Sequence, residues 1–89
     1  MSKKVAVLVR DRQREALRMA VGMTLDDNAV SVFVMDKKLP DDENTALNLE
    51  SLGDMKAKLF SNNPENRCEQ KTTEEIARAL TEFDVVIPY

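Results

Sequence analysis

The residue with the most chemical potential in this sequence is its only cysteine, Cys68. The sequence has no His, which excludes Ser-His-Asp triads, Cys-His pairs and His-ligated zinc sites. A single Cys also excludes an intrachain disulfide and any Cys-x-x-Cys redox or metal motif. Gly22 and Gly53 are too few and too far apart to form a glycine-rich phosphate loop. What remains is thiol chemistry at Cys68, carboxylate chemistry, or a role without catalysis.

Arginines occur in two polar segments that could act together with this thiol. Cationic neighbours lower the pKa of a thiol and make it a better nucleophile, and the same guanidinium groups can hold a small anion. Cys68 is therefore the candidate catalytic residue. The candidate binding residues are polar or cationic side chains in the same two segments: Arg10, Arg12, Arg14, Ser61, Asn62 and Arg67. The alternative is that the arginines are solvated surface charges and that Cys68 is an incidental loop thiol.

Composition restricts the remaining function classes. The chain has 89 residues, so we expect one domain spanning residues 1–89. Its net charge of −3 argues against a nucleic-acid partner, and no apolar run approaches the length of a membrane span. The acidic groups at residues 26–27 and 41–43 fit helix ends better than a cation site, so we predict no metal and no cofactor. A cytoplasmic location is expected.

Strands and helices must alternate to position these residues. Apolar, β-branched runs predict strands at residues 5–9, 30–35, 57–60 and 85–87. Apolar residues at helical spacing predict helices over residues 12–26, from Asp41 or Asp42 to about residue 54, and over residues 73–82. Asp11 is a predicted N-cap, Thr72 and Glu75 have the spacing of a capping box, and Gly53 is a predicted helix stop.

This alternation predicts an α/β fold with three layers, a four-stranded parallel sheet and three helices. We expect the flavodoxin-like strand order 2-1-3-4, in which the loops after strands 1 and 3 meet at the switch point. That meeting would bring Arg10, Arg12 and Arg14 near Cys68. It would also leave the first helix alone on one face, with strands 3 and 4 uncovered there. An apolar patch of that kind usually meets a partner, so we expect a homo-oligomer.

The same pattern resembles a known family over nearly the whole chain. Residues 4–9, 15–20 and 30–35 are similar to the opening of DsrE/DsrF/DsrH-type (TusB/TusC/TusD-like) sulfur-relay proteins, and residues 79–87 are similar to their closing helix and strand. The middle, residues 49–52 and 58–63, most resembles the short DsrH-like branch.

The resemblance implies a small parallel α/β subunit that assembles into oligomers, in a family of which several members relay sulfur as a cysteine persulfide. It also implies a sulfur-relay protein as a partner. In the DsrE-like branch the sulfur-carrying Cys stands at the end of strand 3, where this sequence has Ser61 or Asn62. Two functions in this context follow: sulfur transfer through Cys68, or a subunit that assembles without carrying sulfur. An anion-binding module that uses Arg10, Arg12 and Arg14 is the third possibility.

Overall fold

The computed structural model describes residues 3–25, 28–66 and 68–88, and within them it shows an α/β fold with a parallel sheet. The described residues form five strands and three helices: β1 (Lys4–Val9), α1 (Gln13–Leu25), β2 (Ala29–Val34), α2 (Glu43–Asp54), β3 (Lys58–Ser61), β4 (Glu69–Gln70), α3 (Thr73–Leu80) and β5 (Val85–Pro88). The predicted α/β class, parallel sheet and three helices are confirmed. The acidic pair at residues 26–27 lies outside the described residues.

The strand order differs from the predicted one. The sheet runs β4-β3-β2-β1-β5, and every adjacent pair is parallel. The predicted order 2-1-3-4 is wrong because β2, not β1, pairs with β3. The predicted count of four strands is also wrong, because the described part of the chain adds the two-residue strand β4 at the β3 edge. Either order buries the same apolar runs, so hydrophobic pattern alone does not choose between them.

This order determines which face each helix covers. The crossovers from β1 to β2 and from β2 to β3 run in the same direction, so right-handedness places α1 and α2 on one face. Leu17 of α1 and Leu52 of α2 are fully buried there against Val7 and Val32. The predicted arrangement, with the first helix alone on its face, is therefore wrong. Leu59 of β3 packs against the same core, so β3 is covered on this face.

Helix α3 lies on the opposite face, because the connection to β5 runs back across the sheet. Its buried Ile76 packs against Ala6, Leu8 and Phe33 of β1 and β2. A single helix is about 10–12 Å wide, whereas five strands span about 19 Å. Both flanks of this face therefore remain open in part, and Val86 of β5 is 39% exposed on one of them.

The helix ends confirm some of the predicted signals and correct others. The carboxylate of Asp42 accepts a hydrogen bond from the backbone N–H of Thr45 and caps α2. Thr72 and Glu75 form the predicted capping box of α3. The predicted stop at Gly53 is wrong: α2 continues to Asp54, and Lys56 takes the left-handed conformation with φ 63°. Over the described residues, no helix is long and apolar enough to cross a membrane.

Candidate functional site

The loops after β1, β2 and β3 lie at the carboxyl edge of the sheet, where parallel α/β folds usually bind ligands. A cavity of about 320 Å³ opens at this edge and is lined by Arg10, Asp11, Met35, Asp36 and Lys37. Lys37 Nζ lies 2.7 Å from Asp11 Oδ1, so Asp11 takes part in an ion pair. This hydrogen bond and the charge of Lys37 hold the pKa of the Asp11 carboxyl below its usual value. The cavity thus carries charges of both signs.

The three arginines expected to form an anion site have different environments. Arg12 lies 3.8 Å from Glu15 in an exposed ion pair, and Arg14 lies 2.8 Å from Asp42. Among the described residues, Arg10 forms no salt bridge, although its charge contributes to the lowered pKa of Asp11. The carboxylate partners of Arg12 and Arg14 compete with any bound anion. Within the described part of this edge, Arg10 is therefore the one guanidinium without a carboxylate partner, which makes a weak anion site.

The loop after β2 is held in an unusual backbone conformation by two asparagines. Asp36 has φ 65°, the left-handed region that only a few non-glycine residues adopt. Asn62 Oδ1 accepts from the backbone N–H of Asp36 at 2.7 Å, and Asn62 Nδ2 donates to Thr73 Oγ1 at 3.0 Å. Asn63 Nδ2 donates to the Asp36 carbonyl at 3.0 Å. Asn62, a predicted binding residue, thus connects β2, β3 and α3.

Ser61 is fully buried at the end of β3, and its hydroxyl is committed to the protein. Its Oγ donates to the carbonyl of Val34 at 2.9 Å. It accepts from the backbone N–H of Asn63 at 3.0 Å and from Asn66 Nδ2 at 2.9 Å. One donation and two acceptances use the full capacity of a hydroxyl. Ser61 is therefore a structural residue here, with no access to a ligand.

Asn66 is the main residue of this edge that the sequence did not single out. It is 5% exposed, and its Oδ1 accepts from the backbone N–H of Leu39 at 2.8 Å. Its Nδ2 donates to the carbonyl of Lys37 at 3.1 Å and to Ser61 Oγ. One amide thus joins the loops after β2 and β3. The polar composition of residues 61–71 is the only sequence signal of such a network, and it does not identify which side chain turns inward.

Cys68 lies in a second cavity, of about 350 Å³, beside the first turn of α2. The thiol is half-buried, and this burial raises the pKa of Cys68. The direction is opposite to the predicted lowering by arginines. Among the described residues, the charged side chains that line this cavity are three acids and one base: Asp41, Asp42, Glu65 and Lys38. Such a rim gives a thiolate little electrostatic support.

The predicted meeting of the loops after strands 1 and 3 is wrong, because β2 lies between β1 and β3. Cys68 precedes β4, three strand positions from β1, or about 14 Å at the usual strand spacing. Of the predicted arginines, Arg14 is connected to the Cys68 cavity, because it forms an ion pair with Asp42 and Asp42 lines that cavity. Arg67, the remaining predicted binding residue, lies outside the described residues.

Comparisons with known proteins give no relative. The chain matches no protein-family model, and no curated protein or solved structure is significantly similar to it. The resemblance to DsrE/DsrF/DsrH-type proteins therefore stays a prediction. Within residues 3–25, 28–66 and 68–88, no group of three or more Cys, Asp or Glu side chains is placed to hold a metal ion.

Proposed function

We propose that this chain is a binding subunit of a sulfur-transfer assembly of the DsrE/DsrF/DsrH type, and that it does not itself carry sulfur. The sequence resemblance supports the family. The observation that supports a non-catalytic role is the environment of Ser61, which is one of the two residues, with Asn62, that match the position of the sulfur-carrying Cys in the DsrE-like branch. Its side chain is buried and saturated with hydrogen bonds from the surrounding loops.

Cys68 is a poor substitute for the missing carrier. A sulfur carrier needs an accessible thiol that ionises near neutral pH, because the thiolate is the nucleophile. Burial raises the pKa of Cys68 instead, and Asp41 and Glu65 line the same cavity. The burial reduces the thiolate fraction at neutral pH.

The open flanks beside α3 support a binding role. Val86 is exposed on the β5 flank, and Phe60 is half-buried on the β3 flank. A partner that covers either flank would bury apolar surface, the main favourable term in most protein associations. A homo-oligomer with an interface above about 1,000 Å² in total stays our prediction for the isolated chain. Sedimentation as a monomer at tens of micromolar would contradict it.

The test of the non-catalytic role is intact mass spectrometry after incubation with glutathione persulfide. We expect the folded protein to gain no sulfur atom, and the Cys68→Ser variant to behave identically. The same protein unfolded in urea provides the positive control, since its exposed Cys68 should react. A stable gain of one sulfur atom on the folded protein, absent from Cys68→Ser, would show that Cys68 is a carrier.

A further inference from the structure

A lysine-rimmed cavity, here called the lysine pocket, lies on the α3 face beside β3. Its volume is about 280 Å³. Its basic residues come from four separate places in the chain, namely Lys4 of β1, Lys56 before β3, Lys58 of β3 and Lys71 before α3. The pocket extends along the α3 face from the amino ends of β1 and β3, where Lys4 and Lys58 lie, to Lys71, which follows β4.

The pocket exists because α3 is too short and too narrow to cover the sheet. Its eight residues span about 12 Å and pack over β1 and β2 through Ile76. Phe60 on β3 therefore forms an apolar floor at the side of the helix. It stacks on Phe33 with ring centroids 5.1 Å apart, and Phe33 meets Phe83 edge to face at 5.7 Å. These contacts hold the aromatic floor in place.

The charges around this floor are unbalanced. Among the described residues, none of the four lysines forms a salt bridge with a carboxylate, and Glu82 is the one acidic residue of the lining. Lys71 Nζ instead lies 5.2 Å from the centroid of the Phe60 ring, a cation–π contact. The chain as a whole carries a net charge of −3, so the positive charge of this pocket is a local feature.

We infer that the lysine pocket binds a small planar organic anion: an aromatic ring that bears a carboxylate, sulfonate or phosphate group. The ring would pack on the Phe60 floor, and the anionic group would face the ammonium groups of Lys58 and Lys71. The pocket volume is about twice that of a 150 Å³ cavity that holds benzene, and lies just below the range of about 300–1,000 Å³ usual for drug-sized ligands. This size favours a one- or two-ring ligand over a protein segment.

The inference does not depend on the proposed sulfur-transfer context, because none of the described residues around Cys68 lines the lysine pocket. It also differs from the anion site predicted at Arg10, which lies at the carboxyl edge. It does share Phe60 with the β3 flank named above as a surface for a partner, so a small anion in the pocket would leave the β5 flank around Val86 for that partner.

The test uses the whole protein and two probes matched in shape, naphthalene-2-sulfonate and its uncharged sulfonamide. Titration of each is followed by the backbone amide signals in NMR. We expect the sulfonate to shift the signals of Lys58, Phe60, Ala79 and Phe83 in a saturable manner, and the sulfonamide to bind at least about fivefold more weakly. Raising the salt concentration to about 0.5 M should reduce this difference, because salt screens exposed charges.

Variants test separately what the lysine charges and the Phe60 ring contribute to binding. Exposed ion pairs contribute about 0.2–1 kcal/mol each, so Lys58→Gln with Lys71→Gln should weaken sulfonate binding by about two- to 30-fold. Lys38→Gln, an exposed lysine outside the pocket, is the matched control and should leave binding unchanged. Phe60→Leu keeps an apolar side chain but removes the aromatic floor, and should weaken both probes alike.

Three results would overturn the inference. Equal binding of the sulfonate and the sulfonamide would show that the lysines do not select an anion. Signal changes confined to residues outside the lysine pocket would place the site elsewhere. Stronger binding at the same signals by a short acidic peptide containing Phe would instead assign the pocket to a partner protein. If the double lysine variant loses its fold by circular dichroism, the probe pair and Phe60→Leu still decide the question.

Discussion

Replacing Asn66 with Ala tests whether one buried amide holds the carboxyl edge of the sheet together. The substitution removes three side-chain hydrogen bonds, to the backbone N–H of Leu39, the carbonyl of Lys37 and the hydroxyl of Ser61. Each such bond contributes about 0.5–1.5 kcal/mol net, so the free energy of unfolding should fall by about 1.5–4.5 kcal/mol. A domain of this size has about 4–13 kcal/mol in total, which makes the loss a large one.

The assays are urea denaturation, for the free energy of unfolding, and thermal denaturation, for the Tm, both followed by far-UV circular dichroism. A loss of about 3 kcal/mol should lower the Tm by about 12–24 °C in a domain of this size. Asn28→Ala is the matched control, because Asn28 makes one side-chain hydrogen bond to the described residues, from its Nδ2 to the carbonyl of Met23. Asn66→Asp should fall between the two, since it keeps the acceptor for Leu39 and loses both donations. If Asn66→Ala and Asn28→Ala differ by less than about 0.5 kcal/mol, the reasoning from hydrogen-bond number is refuted.

Three other predictions concern single side chains. The buried Thr45 hydroxyl has no hydrogen-bond partner among the described residues, whereas Thr24 Oγ1 donates to the carbonyl of Val21 at 2.6 Å. Thr45→Val should therefore raise the free energy of unfolding by about 1 kcal/mol, and Thr24→Val should lower it by a similar amount. Denaturation curves of the two variants that shift in the same direction would contradict this. The hydrogen bonds from Thr45, and after them Arg14, lower the pKa of the Asp42 carboxyl in the folded protein. The ionised Asp42 therefore stabilises the fold at pH values above the pKa that it has in the unfolded chain. This stabilisation is lost as the pH falls through the pKa of Asp42 in the folded protein. Denaturation between about pH 6 and pH 3 should accordingly show the stability advantage of the wild type over Asp42→Asn shrinking toward acid, and an advantage that grows would reverse the assigned sign. Burial raises the pKa of Cys68, so its alkylation by iodoacetamide should have a midpoint above that of the urea-unfolded chain, and a lower midpoint in the folded protein would refute this.

Some elements could be predicted from sequence because their signal is local. The apolar runs of β1 and β2 are buried on both faces, which is why their residues lack a polar alternation. The spacing of Thr72 and Glu75 defines a cap whatever surrounds it. Strand β4 has no such signal, because Glu69 and Gln70 are polar, exposed and paired through the backbone of β3.

The strand order and the site could not be predicted in the same way, because both depend on residues far apart in the chain. Nothing in the run around Phe60 specifies that β2 is its neighbour, and that choice moves α2 to the α1 face. The same pairing of β3 with β2 also places Cys68 away from the arginines of the loop after β1. The convergence of Lys4 with Lys58 depends on the sheet as a whole, so neither residue stands out in sequence.

The place of β1 between β2 and β5 has a consequence for how this protein folds. Val5 pairs with Val30 on one side and with Val85 on the other, so the second pairing closes a loop of about 80 residues. Lys4 and Asp84 exchange hydrogen bonds of 2.9 Å across the same junction. Contacts between residues so far apart in sequence form slowly, because the chain loses conformational entropy before the contacts stabilise it. Until β5 docks, β1, which is buried over five of its six residues, has an unpaired edge, the kind of edge at which chains join one another and aggregate. Strand β5 thus protects the edge of β1, although the two are about 80 residues apart in sequence.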